Sequence, residues 1–363
     1  MTPHQAEITR LIAALVDRGT WDAELPQPPR FWYDLLEQAA QNRLLYATSH
    51  AILRLDPLPV SLRPALQRVV DSGEAWQARL KATLQFVVGT FQNHGIAALI
   101  VRTAQAVPYV TFDVDVLVRP SDFQKAVAVL QEQGATITSH DTSLGGRRRG
   151  AQVNVRKNGL LTIDLHQDFT WQHRSYMDEE YVWKAPSISE IQGVMVPTPR
   201  PEAALLIALA HLACESFYLT LNDLLQLRPF LARIEDPASM ATQVARHGWT
   251  QGYGRIVRLW DTLSRSVLPW SESTLPAHRL QMPPSAVESN ASCPAWLPWG
   301  DVTAVFLEPL WHRRAIDVTA LAYAGYCRIR QCVPRSNQRG ARRWPYYDNW
   351  FNLAELQESP CGS

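Results

Sequence analysis

The segment Thr111-Phe-Asp-Val-Asp-Val-Leu-Val118 constrains this chain more than any other. β-branched and apolar residues alternate with polar ones, which predicts a strand. Side chains two apart on a strand share a face, so Asp113 and Asp115 project together. Two carboxylates on one face of a buried strand repel each other and resist desolvation. A divalent cation relieves both problems, and hard oxygen ligands select Mg2+ or Mn2+. A second strand-like run, Leu161-Thr-Ile-Asp-Leu-His166, adds Asp164. Three carboxylates on neighbouring strands make a site for one or two metal ions, the layout used for in-line displacement at a phosphoryl group. Asp-x-Asp by itself is short and recurs by chance, often as a solvated pair at a strand end. The surrounding order of elements has to decide.

Ala97-Ala-Leu-Ile-Val101 reads as an apolar strand ahead of the acidic one. After it, Ser121 follows Pro120 as a candidate N-cap, Phe123, Val127 and Leu130 fall on one helical face, and Gly134 stops the helix. Gln152–Arg156 and Leu160–Asp164 then flank Asn158-Gly159, a strong hairpin signal. That hairpin brings Asp164 and His166 to one face. His166 is a candidate contact for phosphate, metal or a substrate hydroxyl; its plainer role is a strand-end histidine bonded to a neighbouring carbonyl. Asp168 has the same parity but falls in the following loop and is left out of the site. Strand, strand, helix, strand, hairpin predicts an α+β fold: a small mixed sheet with helical cover, embedded between helical N- and C-terminal regions.

This order of motifs over Ala97–Asp168 resembles the catalytic core of the polymerase β-type nucleotidyltransferase superfamily. It is similar to a bacterial group of nucleotidyltransferase family proteins whose members are mostly uncharacterised. The resemblance implies Asp113, Asp115 and Asp164 as the catalytic and metal-binding carboxylates, with Mg2+ or Mn2+ as cofactor and a nucleoside triphosphate, ATP, as substrate. Members of the superfamily carry a Gly-Gly or Gly-Ser pair before the first carboxylate, where the backbone approaches the triphosphate. Here that place reads Val101-Arg-Thr-Ala104, and no glycine lies between Gly95 and Gly134. Thr103 supplies a hydroxyl there and Arg102 a guanidinium able to hold phosphate in a bidentate way. Similar helices in the family carry a histidine and then an aspartate, at the places of His211 and Asp223. His211 also reads as a core histidine, and Asp223 as a residue pinning its helix.

The rest of the chain is read as organisation. Residues 1–95 predict a helical region: Gln5–Val16 ending near Gly19, Arg30–Ala39, and one or two long helices from Ser61 to His94 stopped by Gly95. The catalytic core takes 96–198 and a helical region 199–270, where Pro199–Ala213 starts a strong helix. A Pro/Ser-rich linker occupies 271–300, and 301–363 is a helical and basic end. In that last region Arg313, Arg314, Arg328, Arg330, Arg335, Arg339, Arg342 and Arg343 are opposed only by Asp317, with Trp344, Tyr346 and Tyr347 nearby. Arginines among aromatics suit nucleic acid, an anionic membrane surface or a solvated tail.

The net charge of +1 names no partner. The 5 cysteines are scattered without a disulfide or zinc framework, which suits a reducing compartment. The N-terminus lacks a signal-peptide layout and no apolar run is long enough to span a bilayer. A cytoplasmic protein without a transmembrane segment is expected. The leading reading is transfer of a nucleoside monophosphate from a triphosphate to a hydroxyl on a small molecule, protein or RNA. A rival reading keeps the fold as a catalytically degenerate binding or regulatory module, consistent with the missing glycines. A metal-dependent phosphohydrolase is disfavoured, because the several His-Asp ligands such enzymes use are not evident.

Overall fold

The computed structural model of the protein describes residues 3–21, 28–56, 58–103, 106–140, 152–171, 174–213, 218–268 and 295–296. Four helices come first: α1 (Pro3–Arg18), α2 (Pro29–Gln41), α3 (Leu45–Ile52) and α4 (Arg63–Asn93). The sheet-bearing part follows with β1 (Ala98–Val101), β2 (Asp113–Val118), α5 (Phe123–Glu132), β3 (Thr136–His140), β4 (Gln152–Arg156) and β5 (Thr162–His166). Next come a short β6–β7 hairpin (Thr170–Trp171 and Arg174–Ser175), α6 (Glu179–Trp183) and a β8–β9 hairpin (Ser187–Ile191 and Val194–Thr198). The described chain closes with α7 (Pro201–His211), β10 (Tyr218–Leu219), α8 (Leu221–Leu231), α9 (Pro237–His247), α10 (Thr250–Val267) and β11 (Ala295–Trp296).

The expected mixed sheet is present, five strands in the order β1-β2-β5-β4-β3. β2 pairs antiparallel with β1 and parallel with β5, while β4 pairs antiparallel with both β5 and β3. Strand parity then divides the sheet's residues between two cores. Val114, Val116 and Val118 of β2, with Ile163 and Leu165 of β5, pack against Leu80, Leu84, Val87 and Phe91 of α4 and Phe123 and Leu130 of α5. On the opposite face, Leu99, Val101 and Leu117 join a helical core built from α1, α2, α7, α8 and α10. Asp113 and Asp115 have the parity of Leu117, so they lie on the face turned to the helical core.

One helix ties the two cores together. The first turns of α4 bury Leu66 and Val69 in the helical core, and its later turns bury Leu84 and Phe91 under the sheet. Gly95, at φ +63, ends the excursion in the left-handed conformation glycine adopts without strain. The helical core is further pinned by Arg228 of α8, which donates to both carboxylate oxygens of Asp17 at the end of α1.

Some local features depart from the sequence reading. A 3-10 turn over Pro120–Asp122 precedes α5, so Ser121 lies inside that turn and makes no cap; the tight turn started by Pro120 delays the α-helix to Phe123. Strand β5 begins two residues later than expected, because the turn around Gly159 (φ +79) spans Lys157–Leu161. The short helix α3 was not anticipated. Of the Pro/Ser-rich stretch 271–300, only Ala295–Trp296 is described, paired with Tyr218–Leu219. The basic end 301–363 and the cysteines lie outside the described residues. Among the described residues no helix is long and apolar enough to cross a membrane.

Gly73 lets α3 and α4 approach closely: a Cβ there would collide with the ring of Tyr46. Alanine is the better helix former by about 1 kcal/mol, yet overpacking of this kind costs roughly 1–3 kcal/mol. Gly73→Ala is therefore expected to lower the urea midpoint of unfolding. A midpoint equal to or above that of wild type would show that the two helices are not in such close contact.

Candidate active site

The register of β2 against β5 sets the site. Asp115 is the lateral partner of Asp164, and Asp113 of Thr162, so the three carboxylates stand on one face of adjacent parallel strands. β4 adds Gln152 opposite His166 and Asn154 opposite Asp164. A cavity of about 340 Å³ opens over this polar strip. Its floor carries Asp113, Asp115, Asp164, His166 and Gln152, and its roof is made by α7 and α8 with His211, Asn222 and Asp223.

Asp115 is the most engaged of the acids. It is 5% exposed. Arg102 Nε donates to its Oδ2 at 3.1 Å and Arg102 Nη2 to its Oδ1. His166 Nε2 lies 3.0 Å from Oδ1. A carboxylate can only accept, so that imidazole nitrogen carries the proton. Burial alone would raise the Asp115 carboxyl, but the Arg102 charge and the His166 hydrogen bond outweigh it and hold it at about 2. Arg102 Nη1 also lies 2.5 Å from His211 Nδ1. A guanidinium has no lone pair to offer, so Arg102 is the donor in that contact.

The other two acids are pushed the opposite way. Burial and then the charges of Asp113 and Asp115 raise Asp164 to about 7. Gln152 Nε2 donates to Asp164 Oδ2 at 2.9 Å, whereas Oδ1 is buried with no hydrogen-bond partner. Asp113 is raised by burial and by Asp115, against the pull of Arg102 and His211. The Thr111 hydroxyl donates to its Oδ1 at 3.4 Å.

The residues fit a divalent cation. One ligand atom each from Asp115, Asp164 and His166 lies within 4.8 Å of the others. The orphaned Asp164 oxygen is the kind of group a cation satisfies. Two carboxylates suit Mg2+ or Mn2+. Asp113 lines the same cavity but is not in that three-residue group.

Arg102 stands where the family pattern places glycine, and its backbone keeps glycine's conformation, φ +58. For an arginine this costs on the order of 1 kcal/mol. Thr103 turns the other way: its buried hydroxyl donates to the Val101 carbonyl at 3.2 Å, and it is not part of the cavity wall. Asp223 does two things. It closes a capping box with Thr220 at the start of α8 and also lines the cavity. Asp168, left out on its loop position, does line the cavity. Sequence reasoning missed Arg43, Tyr109 and Gln152. Gln152 was legible from hairpin register; Arg43 was not, because it arrives from a helical turn far upstream. The Tyr109 phenol is raised above its ordinary value by burial and by Asp113 and Asp115, so it stays a neutral hydroxyl.

A family model described as "Uncharacterised nucleotidyltransferase" matches residues 28–263, well over half of the chain. No curated protein matches it.

Opposite pKa displacements give opposite mutant behaviour. Asp164 is raised, so its contribution is favourable below the unfolded value and turns into a penalty as pH rises toward about 7. Asp164→Asn removes that penalty. Its advantage in unfolding free energy over wild type should widen from roughly pH 4 to pH 8, reaching about a few kcal/mol. Asp115 is lowered, and its stabilisation persists until pH falls toward about 2. Asp115→Asn at pH 7 strands Arg102 and should cost on the order of 3 kcal/mol. Thermal unfolding across pH checks both; equal shifts for the two variants would contradict the electrostatic assignment.

Proposed function

The chain belongs to the uncharacterised nucleotidyltransferase family, and we propose from that membership that it moves a nucleoside monophosphate from a triphosphate, ATP, to a hydroxyl acceptor in the cytoplasm. The observation that carries this reading is the register pairing Asp115 with Asp164 under the cavity, with one Asp164 oxygen buried and unsatisfied. Asp115 and Asp164, with Asp113 on the same strand face, would hold a divalent ion, Mg2+ or Mn2+, which when bound neutralises phosphate charge and polarises the α-phosphate.

The chain's own residues supply the rest. Asp164, beside Asp115 on the same sheet face, is the carboxylate placed to take the proton of the acceptor hydroxyl. That oxygen bonds to the α-phosphorus on one side as the bond to the β-phosphate oxygen breaks on the other, and pyrophosphate leaves with the electron pair. Arg102, beside the carboxylates, offers its guanidinium to the phosphates. His166 is a positioning residue: by donating to Asp115 it fixes the orientation of that carboxylate. Residues of α7 and α8 line the cavity together with the carboxylates.

One observation favours a second reading, a binding module that has lost the chemistry. Arg102 engages both oxygens of Asp115, so this acid is satisfied within the protein. The two readings separate in one assay. Purified protein is incubated with each α-labelled triphosphate, Mn2+ or Mg2+, and the small-molecule fraction of a cell extract. Asp113→Asn serves as control, since that acid holds no salt bridge among the described residues. Label transfer by wild type, reduced about 100-fold or more in the variant, is expected. Absence of both transfer and triphosphate binding would favour the module.

A further inference from the structure

Among the described residues, four that are not glycine have a left-handed backbone: Arg43, Arg102, Ala185 and Gln192. The two arginines both line the site cavity. Gln192 sits with Gly193 in the tight β8–β9 turn, where two positive φ values are the rule. Arg43 has no such excuse in turn chemistry alone. It follows the C-cap residue Asn42 of α2, at φ +59, and the turn is closed by Arg43 N to Ala40 O at 3.0 Å and Leu44 N to Ala39 O at 2.8 Å. Glycine is the residue that occupies this place without strain. An arginine held there against its backbone preference points to a use for the side chain.

The turn is also built into the site. Asn42 is fully buried, and its Nδ2 donates to the Gln38 carbonyl at 3.0 Å. Its Oδ1 accepts from Leu221 N at 2.9 Å, and its backbone oxygen accepts from Asn222 N at 3.3 Å. The first amides of α8 are therefore held by the turn that carries Arg43, and Arg43 is fixed relative to Asp223 on the same helix. Tyr109 lies within electrostatic reach of Arg43 and Asp223 as well as Asp113 and Asp115. It stands between the carboxylate floor and this second polar wall. Phe112, Phe169 and Phe230 add apolar surface to the same cavity.

We propose that Arg43, with Asp223 and Tyr109, forms an acceptor subsite for a small molecule that carries an anionic group, carboxylate or phosphate, as well as the attacking hydroxyl. The proposal rests on the nucleotidyl-transfer reading and names the class of its acceptor. Arg43 clamps the anion through its planar fork. Tyr109 and Asp223 orient the hydroxylated end, so the free hydroxyl faces Asp164, which takes its proton as the new oxygen–phosphorus bond forms and pyrophosphate departs. A cavity of about 340 Å³ suits a small ligand.

The test uses the full chain and calorimetric binding of three probes: D-glycerate, glycerol 3-phosphate and neutral glycerol. ATP affinity is measured in parallel. Arg43→Gly is the chosen variant because glycine relieves the left-handed strain, and Arg43→Lys keeps charge without the fork. At least one anionic probe should bind wild type about tenfold or more tighter than glycerol, and which one binds decides between carboxylate and phosphate. Arg43→Gly should abolish that preference, keep ATP affinity, and unfold no earlier than wild type; Arg43→Lys should retain part of the binding. Anionic probes binding no better than glycerol would overturn the proposal. So would unchanged probe binding in Arg43→Gly, or an equal loss of ATP affinity, which would give Arg43 to the triphosphate. Arg43-dependent probe binding in a protein that binds no ATP would leave the anion subsite standing and sink nucleotidyl transfer instead.

Discussion

The ion pair between Arg102 and Asp115 is the interaction on which the site depends. A carboxylate 5% exposed on the central part of a sheet is costly unless its charge is met. Arg102 meets it from the end of the neighbouring strand, and His166 meets it from the strand on the other side. The same arginine reaches His211 on α7, so the network that keeps Asp115 charged also links the sheet to the helical roof. Burial, with the neighbouring carboxylate charges added to it, forces Asp164 and Asp113 upward. Three like residues thereby come to hold their protons very differently.

The architecture exists to hold that face in place. Parity on β2 and β5 sends the valines, Ile163 and Leu165 to the core under α4 and α5, and leaves the acids facing the helices. α4 belongs to both cores, so the sheet and the helical roof are not free to move independently around the cavity. The second polar wall follows from the same packing. Asn42 joins the α2–α3 turn to the first amides of α8, and Asp223 completes the cap, so one set of bonds both starts that helix and aims polar groups at the cavity.

Much of the sheet was legible in the sequence because period-two alternation is a local signal. Asp113, Asp115, Asp164 and His166 were found from parity within two short segments, and the structure brings all four to one cavity. The Asn158-Gly159 turn fixed the pairing of β4 with β5, which in turn places Gln152 on Asp164. What was not legible is non-local. Nothing around Arg43 marks it, since its turn looks like any break between two helices. Its place on the cavity wall arises only when the turn after α2 meets α8. Thr103 illustrates the converse: a residue at the right place in the motif order, whose hydroxyl is taken by its own strand. The Ser121 cap failed because proline started a tighter turn than the helix pattern suggested. Arg102 replaced the expected glycine while keeping its backbone conformation, a combination that a sequence alone cannot display.

The most direct measurement is a Mn2+ titration followed by electron paramagnetic resonance, at about pH 8 where Asp164 is charged, with and without ATP. Wild type should bind Mn2+ more tightly in the presence of ATP, and Asp113→Asn and Asp164→Asn should each weaken that binding about tenfold or more while remaining folded. Mn2+ binding that is the same in wild type and both variants would contradict the assignment of these carboxylates as the centre of the site.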